Sequence, residues 1–214
     1  MREDVLKLLD NMILLLFENE YDLQFPINPA AIINKLYNCR VMTYNCLAET
    51  TGKTIQDIIN VCHSSDGCTY YDKQKSRYLV LINTSGRNSQ RVRWTTAHEL
   101  GHIMAGHLTE ITKSSSDVIE NYMEEEADYF AASFLAPIAA IRRINVRDSE
   151  DIAYCFGLSQ TAAAIRWAEY CRTSVSCKEI EEFFDKNRPK TPHKKYRFKT
   201  DHAILVAPKR PLDL

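Results

Sequence analysis

The 214-residue chain has no long hydrophobic run. The longest near its start, Met12 to Phe17, spans six residues and is closely followed by Glu18 and Glu20. A helical membrane span takes about 20 apolar residues, and a secretory leader has basic rather than acidic surroundings. Glycine and proline are sparse, at 6 and 7 residues, which excludes collagen-like and linker-like character. The 7 cysteines are odd in number and contain no CxxC, so neither a disulfide framework nor a zinc ribbon is expected. Nor is there an excess of one charge. With 27 basic and 28 acidic residues the net charge is −1, which excludes a polycation that coats nucleic acid. No repeat of solenoid length is visible. These absences leave the expectation of a cytoplasmic protein without membrane attachment.

What is present is ordinary globular material, 45% hydrophobic and 26% charged. Val5, Leu8, Leu9, Met12, Leu15 and Leu16 keep the spacing of one helical stripe, which predicts a helix over 3–18. Asn28 followed by Pro29 marks a second helix start, running to about Tyr37. Strand-like stretches follow at 40–44, 68–71 and 77–83, with a helix over 55–62 between the first two. The polar break at Lys73 to Lys75 has hairpin length, so the sheet is expected to be small and mostly antiparallel. Two long helices are then expected, over about 90–106 and 117–136. Ser116 or Asp117 would cap the second and Pro137 would stop it. A compact helical patch closes the pattern. Ser149 and Gly157 bound one short helix, Ser159 caps the next, and Lys178 to Lys186 form a third.

The chemistry lies in His98-Glu99-Leu100-Gly101-His102. Two histidines at i and i+4 share a helix face, so their imidazoles can hold one metal ion. Glu99 projects beside them, where it can take a proton from an attacking water. Zinc suits such a site, given a third protein ligand and one open position. His107 follows His102 by five residues, about 140° around the helix, and points away unless the helix breaks at Gly106. The acidic run Glu124-Glu125-Glu126-Ala127-Asp128 opens an otherwise apolar helix. Glu124 and Asp128 share a face, so Glu124 can bind the metal while Asp128 hydrogen-bonds the far nitrogen of a ligand histidine. Glu125 and Glu126 remain alternatives for the third ligand.

The run Arg91 to His107 (RVRWTTAHELGHIMAGH), followed by Glu124 to Pro137 (EEEADYFAASFLAP), resembles the ImmA/IrrE family of metallo-endopeptidases. Members of that family carry a HELGH helix and then an ExEAxxFAxxLLxP helix. The stretches GCTYYD and RYLVLIN resemble its strand pair, and IAYCFGLSQTAAAIR resembles its small helical region. Phe134-Leu135-Ala136-Pro137 departs from the commoner Leu-Leu-Met-Pro, and no cysteine-rich tail is present; neither departure touches the ligands. The resemblance implies Zn2+ held by His98, His102 and Glu124, with Glu99 as the catalytic base. It implies an intracellular endopeptidase whose protein substrate is a DNA-binding helix-turn-helix repressor, often of a mobile element, cut to derepress genes. A toxin–antitoxin role is the neighbouring reading. The expected fold class is α+β. A small, mostly antiparallel sheet packs on a helical zincin core made of the HExxH helix and the glutamate helix, and a helical C-terminal subdomain follows. The corresponding divisions are 1–146, 147–188 and a basic tail over 189–214.

Two features bear on partners. Ile152 to Trp167 reads as a helix-turn-helix, but its second helix offers only Gln160 and Arg166 for base contacts, so direct nucleic-acid binding is not expected. Residues 186–210 carry nine basic side chains and one acidic, which suits an anionic partner surface. The alternative to a peptidase is a non-catalytic regulator that uses the same scaffold to bind a protein or DNA. Tyr122, Arg93, His63 and His202 are open candidates for stabilising an oxyanion. Arg77 to Asn83 is the natural strand for a substrate to pair with.

Overall fold

A computed structural model describes residues 2–20, 22–108, 117–173 and 177–192, without the side chains of Asp117 and Val118. Three strands and ten helices alternate along these residues: α1 (Glu3–Glu18), α2 (Pro29–Ile33), β1 (Cys39–Thr43), α3 (Tyr44–Thr51), α4 (Ile55–Cys62), β2 (Gly67–Asp72), β3 (Arg77–Ile82), α5 (Ser89–Met104), α6 (Asp117–Leu135), α7 (Ile138–Ile144), α8 (Ser149–Phe156), α9 (Gln160–Arg172) and α10 (Lys178–Lys186). Among the described residues no helix is long and apolar enough to cross a membrane. Ser116 and the tail beyond Pro192 lie outside the described residues.

The class is α+β, as the sequence pattern indicates, but the sheet is mixed rather than mostly antiparallel. Its order is β1-β3-β2. β2 and β3 pair antiparallel across the expected hairpin, Gly67 opposite Ile82 and Asp72 opposite Arg77. β1 pairs parallel with β3, Cys39 beside Tyr78 and Thr43 beside Ile82. A parallel pair needs a crossover, and α3 and α4 supply it before the hairpin turns back through the middle. β3 is therefore the central strand, apolar because it is covered on both sides, and its backbone is used up by its two neighbours. That corrects the expectation that a substrate would pair with Arg77 to Asn83. Among the described residues β1 and β2 are the two edge strands, each paired only with β3; β2 is the one that lines the cleft beside Glu99.

Local signals set most helix ends. Asn28, Asn88 and Ser159 accept hydrogen bonds from the amides of Ala31, Arg91 and Ala162. α2 stops at Ile33, shorter than expected, with Asn34 as its C-cap. Asp148, not Ser149, caps α8 by accepting from the Asp151 amide, and Gly157 ends it at φ +64°. α5 and α6 lie against each other at Gly101, where an added Cβ would stand 3.1 Å from the Ala127 Cα and carbonyl oxygen. Only glycine permits that approach, and it brings the two site-bearing helices together. Beneath them, Phe130 stacks on Phe134 at 5.6 Å and Phe134 on Phe17 of α1 at 5.7 Å. Each such ring contributes roughly 1.5–3 kcal/mol by leaving water. Buried residues of α8, α9 and α10, among them Phe156, Ala163 and Phe184, join the same core.

Candidate metal centre

α5 presents His98 and His102 one turn apart, and α6 presents Glu124 opposite them. His98 Nε2 stands 3.0 Å from His102 Nε2 and 3.1 Å from Glu124 Oε2. His102 Nε2 stands 3.4 Å from Glu124 Oε1. Ligand atoms about 2.0–2.1 Å from one zinc ion at tetrahedral angles are separated by roughly 3.3–3.4 Å, so the three donors have nearly the spacing that one ion requires. The set of two imidazoles and a carboxylate is of the type zinc takes. Among the described residues this is the group of histidine, cysteine and carboxylate side chains that could hold a metal.

The electrostatics point the same way. His98 Nδ1 lies 2.9 Å from Asp128 Oδ1. An ionised carboxylate can only accept, so Nδ1 carries the proton and a neutral His98 turns a bare Nε2 toward Glu124. Burial disfavours charge on His98, but the Asp128 hydrogen bond and charge, with Glu99 and Glu124, outweigh it and raise its pKa above the ordinary value. The carboxylates around His98 thus favour positive charge close to that ring. His102 is pushed the other way, to about 3, by burial and then by the imidazoles of His98 and His107, so it stays neutral and able to ligate.

Glu99 is 8% exposed, and its Oε2 accepts a 2.6 Å hydrogen bond from Thr69 Oγ1 on β2. Burial raises its pKa; the Thr69 bond opposes that rise. Thr69 is a site residue that sequence reasoning missed, because it lies 30 positions away on a strand whose pattern carries no chemical signature.

Asp128 stands where the spacing placed it. Glu126 does not reach the metal-binding set; its Oε2 lies 2.9 Å from His107 Nε2. Glu125 is exposed and is not a member of that set. His107 does not project away from the site, because α5 ends at Met104 and Gly106 takes a left-handed φ of +74°. Of the four oxyanion candidates, Arg93 is spent on the carbonyls of Ile27 and Gly157, at 3.1 and 2.8 Å. His63 and Tyr122 do not line the cleft, and His202 lies outside the described residues.

The site opens into a cleft of about 880 Å³. One wall is β2, through Gly67, Cys68 and Thr69; another is α9, through Thr161, Ala162 and Ile165. Ile165 is exposed, whereas Arg166 is buried, donating to the Ala136 carbonyl at 2.8 Å and to Glu169 at 2.8 Å. The one charge on α9 that could face DNA in mid-helix instead ties it to the end of α6.

A HExxH helix, a glutamate on the neighbouring helix and a buried carboxylate between them define a mononuclear metallohydrolase type of centre. The peptidase M78 family model, the IrrE N-terminal-like domain, matches residues 59–168, just over half of the chain, a span that includes Thr69, His98, Glu99, His102, Glu124 and Asp128. The chain belongs to that family and carries its metallopeptidase scaffold. A comparison with curated proteins found no match.

Proposed function

We propose that the protein is a zinc-dependent endopeptidase with a helix-turn-helix transcriptional repressor as its substrate. The observation that carries the hydrolytic part is the buried Glu99 carboxylate beside the convergent nitrogens and oxygens of His98, His102 and Glu124. Zinc, when bound there, acidifies water and polarises a carbonyl oxygen. Glu99 takes the proton of the attacking water on a carboxylate oxygen and hands it to the departing amine. Burial, which raises its pKa, makes Glu99 a stronger base for the water's proton, with the Thr69 hydrogen bond opposing the rise. Thr69 fixes the carboxylate's direction.

The free edge of β2 offers backbone groups to an extended peptide, and Gly67 to Thr69 line the cleft beside the base. A substrate laid on that edge is a chain segment that can become extended, which favours a flexible linker over a folded domain. The inward turn of Arg166 supports the reading in which α9 serves the cleft and the protein does not read DNA directly. The repressor itself comes from the family resemblance.

The test is to incubate wild type and Glu99→Gln with a candidate helix-turn-helix repressor from the same source, following cleavage and operator release together. Cleavage and release by wild type alone support the peptidase. Release by both proteins from an uncut repressor favours a non-catalytic binding module.

A further inference from the structure

We propose that His107 and Glu126 act as a positioning pair for His102, locking the tautomer that turns its Nε2 lone pair toward the metal site. The inference rests on reading His98, His102 and Glu124 as the ligands. It concerns two side chains that the ligand set and the base leave unused.

The backbone delivers His107. The His107 amide donates to the His102 carbonyl at 3.0 Å, and the Gly106 amide donates to the Ile103 carbonyl at 3.1 Å. With Gly106 left-handed at φ +74°, this is a Schellman turn, in which the residue after the glycine folds back over the last helical turn. The residue it folds onto is His102. The two rings stand 5.1 Å apart, and Nδ1 faces Nδ1 at 3.0 Å. The far nitrogen of His107 reaches Glu126 Oε2 at 2.9 Å, and the His107 side chain is 7% exposed.

Proton placement follows along this line. An ionised Glu126 accepts only, so His107 carries its proton on Nε2. With one proton per ring, His107 Nδ1 is an acceptor, and the proton between the two rings belongs to His102 Nδ1. His102 Nε2 is then bare, and it is the atom 3.0 Å from His98 Nε2 and 3.4 Å from Glu124. The opposite tautomer would aim an N–H at the metal and block ligation. α6 thus supplies three carboxylates with three jobs. Glu124 faces the metal site, Asp128 orients His98 directly, and Glu126 orients His102 through His107. Partners of this kind typically change metal affinity 10–100-fold when removed.

The experiment measures zinc affinity by competition with a chromophoric chelator, with long-range 15N spectra of the metal-free protein as a second readout. His107→Phe keeps a ring but no acceptor and should weaken zinc binding roughly 10–100-fold. His107→Asn, whose amide oxygen can stand near the Nδ1 position, should recover most of that loss. A purely packing role would give the reverse order. Glu126→Ala should weaken zinc and allow both tautomers. In the wild type the spectra should show His102 protonated on Nδ1. His102→Ala is the control, because full zinc retention there defeats the ligand reading itself. Loss of zinc in the control with wild-type affinity in His107→Phe defeats the pair alone. An Nε2–H tautomer of His102 in wild type does the same without any variant.

Discussion

Gly101→Ala should loosen the metal centre without touching a ligand. The new Cβ would meet the Ala127 Cα and carbonyl oxygen at 3.1 Å and the Phe130 Cβ at 3.2 Å, where ordinary contact begins at 3.4 Å. Two of these atoms are backbone and cannot rotate away, so α5 and α6 must part by about 0.3 Å. Alanine brings a helix-propensity gain of about 1 kcal/mol, against an overpacking cost of typically 1–3 kcal/mol. The metal-free variant should therefore range from unchanged to about 2 kcal/mol less stable. The larger effect falls on the site, because His98 and His102 ride on one helix and Glu124 on the other, 3.1 and 3.4 Å across the gap. Metal–ligand bonds tolerate only about 0.2 Å, so zinc affinity should drop roughly tenfold or more. Urea unfolding in chelator gives the stability and chelator competition gives the affinity. A variant about 1 kcal/mol more stable than wild type, with unchanged zinc affinity, would mean that the helices do not meet at Gly101.

Two further outcomes concern protonation. Thr69→Val removes the hydrogen bond that favours ionised Glu99, so the pKa of Glu99 should rise further. The acid limb of the kcat–pH profile should shift to higher pH with zinc content unchanged; an unmoved limb would detach Thr69 from the base. Asp66 is held down to about 2, first by the Arg91 hydrogen bond and also by Arg87, against an ordinary 3.8. A carboxylate with a depressed folded pKa contributes stability above its unfolded value and loses it as pH falls through the folded one. Between pH 3.8 and about 2, wild type should lose stability faster than Asp66→Asn, as urea midpoints would show; parallel curves would contradict the pairing.

The elements with strong local signals were legible in the sequence. The stripe of α1, the bounds of α5 and α6 to within about two residues, and the β2–β3 hairpin all follow from periodicity, caps and turn residues. The parallel β1–β3 pair was not, because no local pattern reports a crossover partner. α3 was hidden by a strand-like run whose last residue, Tyr44, begins a helix under a Thr43 cap. α7 was hidden because Pro137, which stops α6, also opens the next helix. At the site, the histidines and Glu99 share one helical turn and are readable from spacing. Thr69 arrives through tertiary structure alone. The direction of His107 depends on one backbone angle, and Gly106 ahead of it was the available sign.

Metal content tests the centre most directly. After dialysis against zinc-free buffer, elemental analysis should find about one zinc per chain in wild type and in Glu99→Gln, whose altered side chain is not among the three converging donors. Glu124→Ala should fall well below one, while Glu125→Ala should stay at one. Full zinc in Glu124→Ala, or its loss in Glu125→Ala, would contradict the centre built from His98, His102 and Glu124.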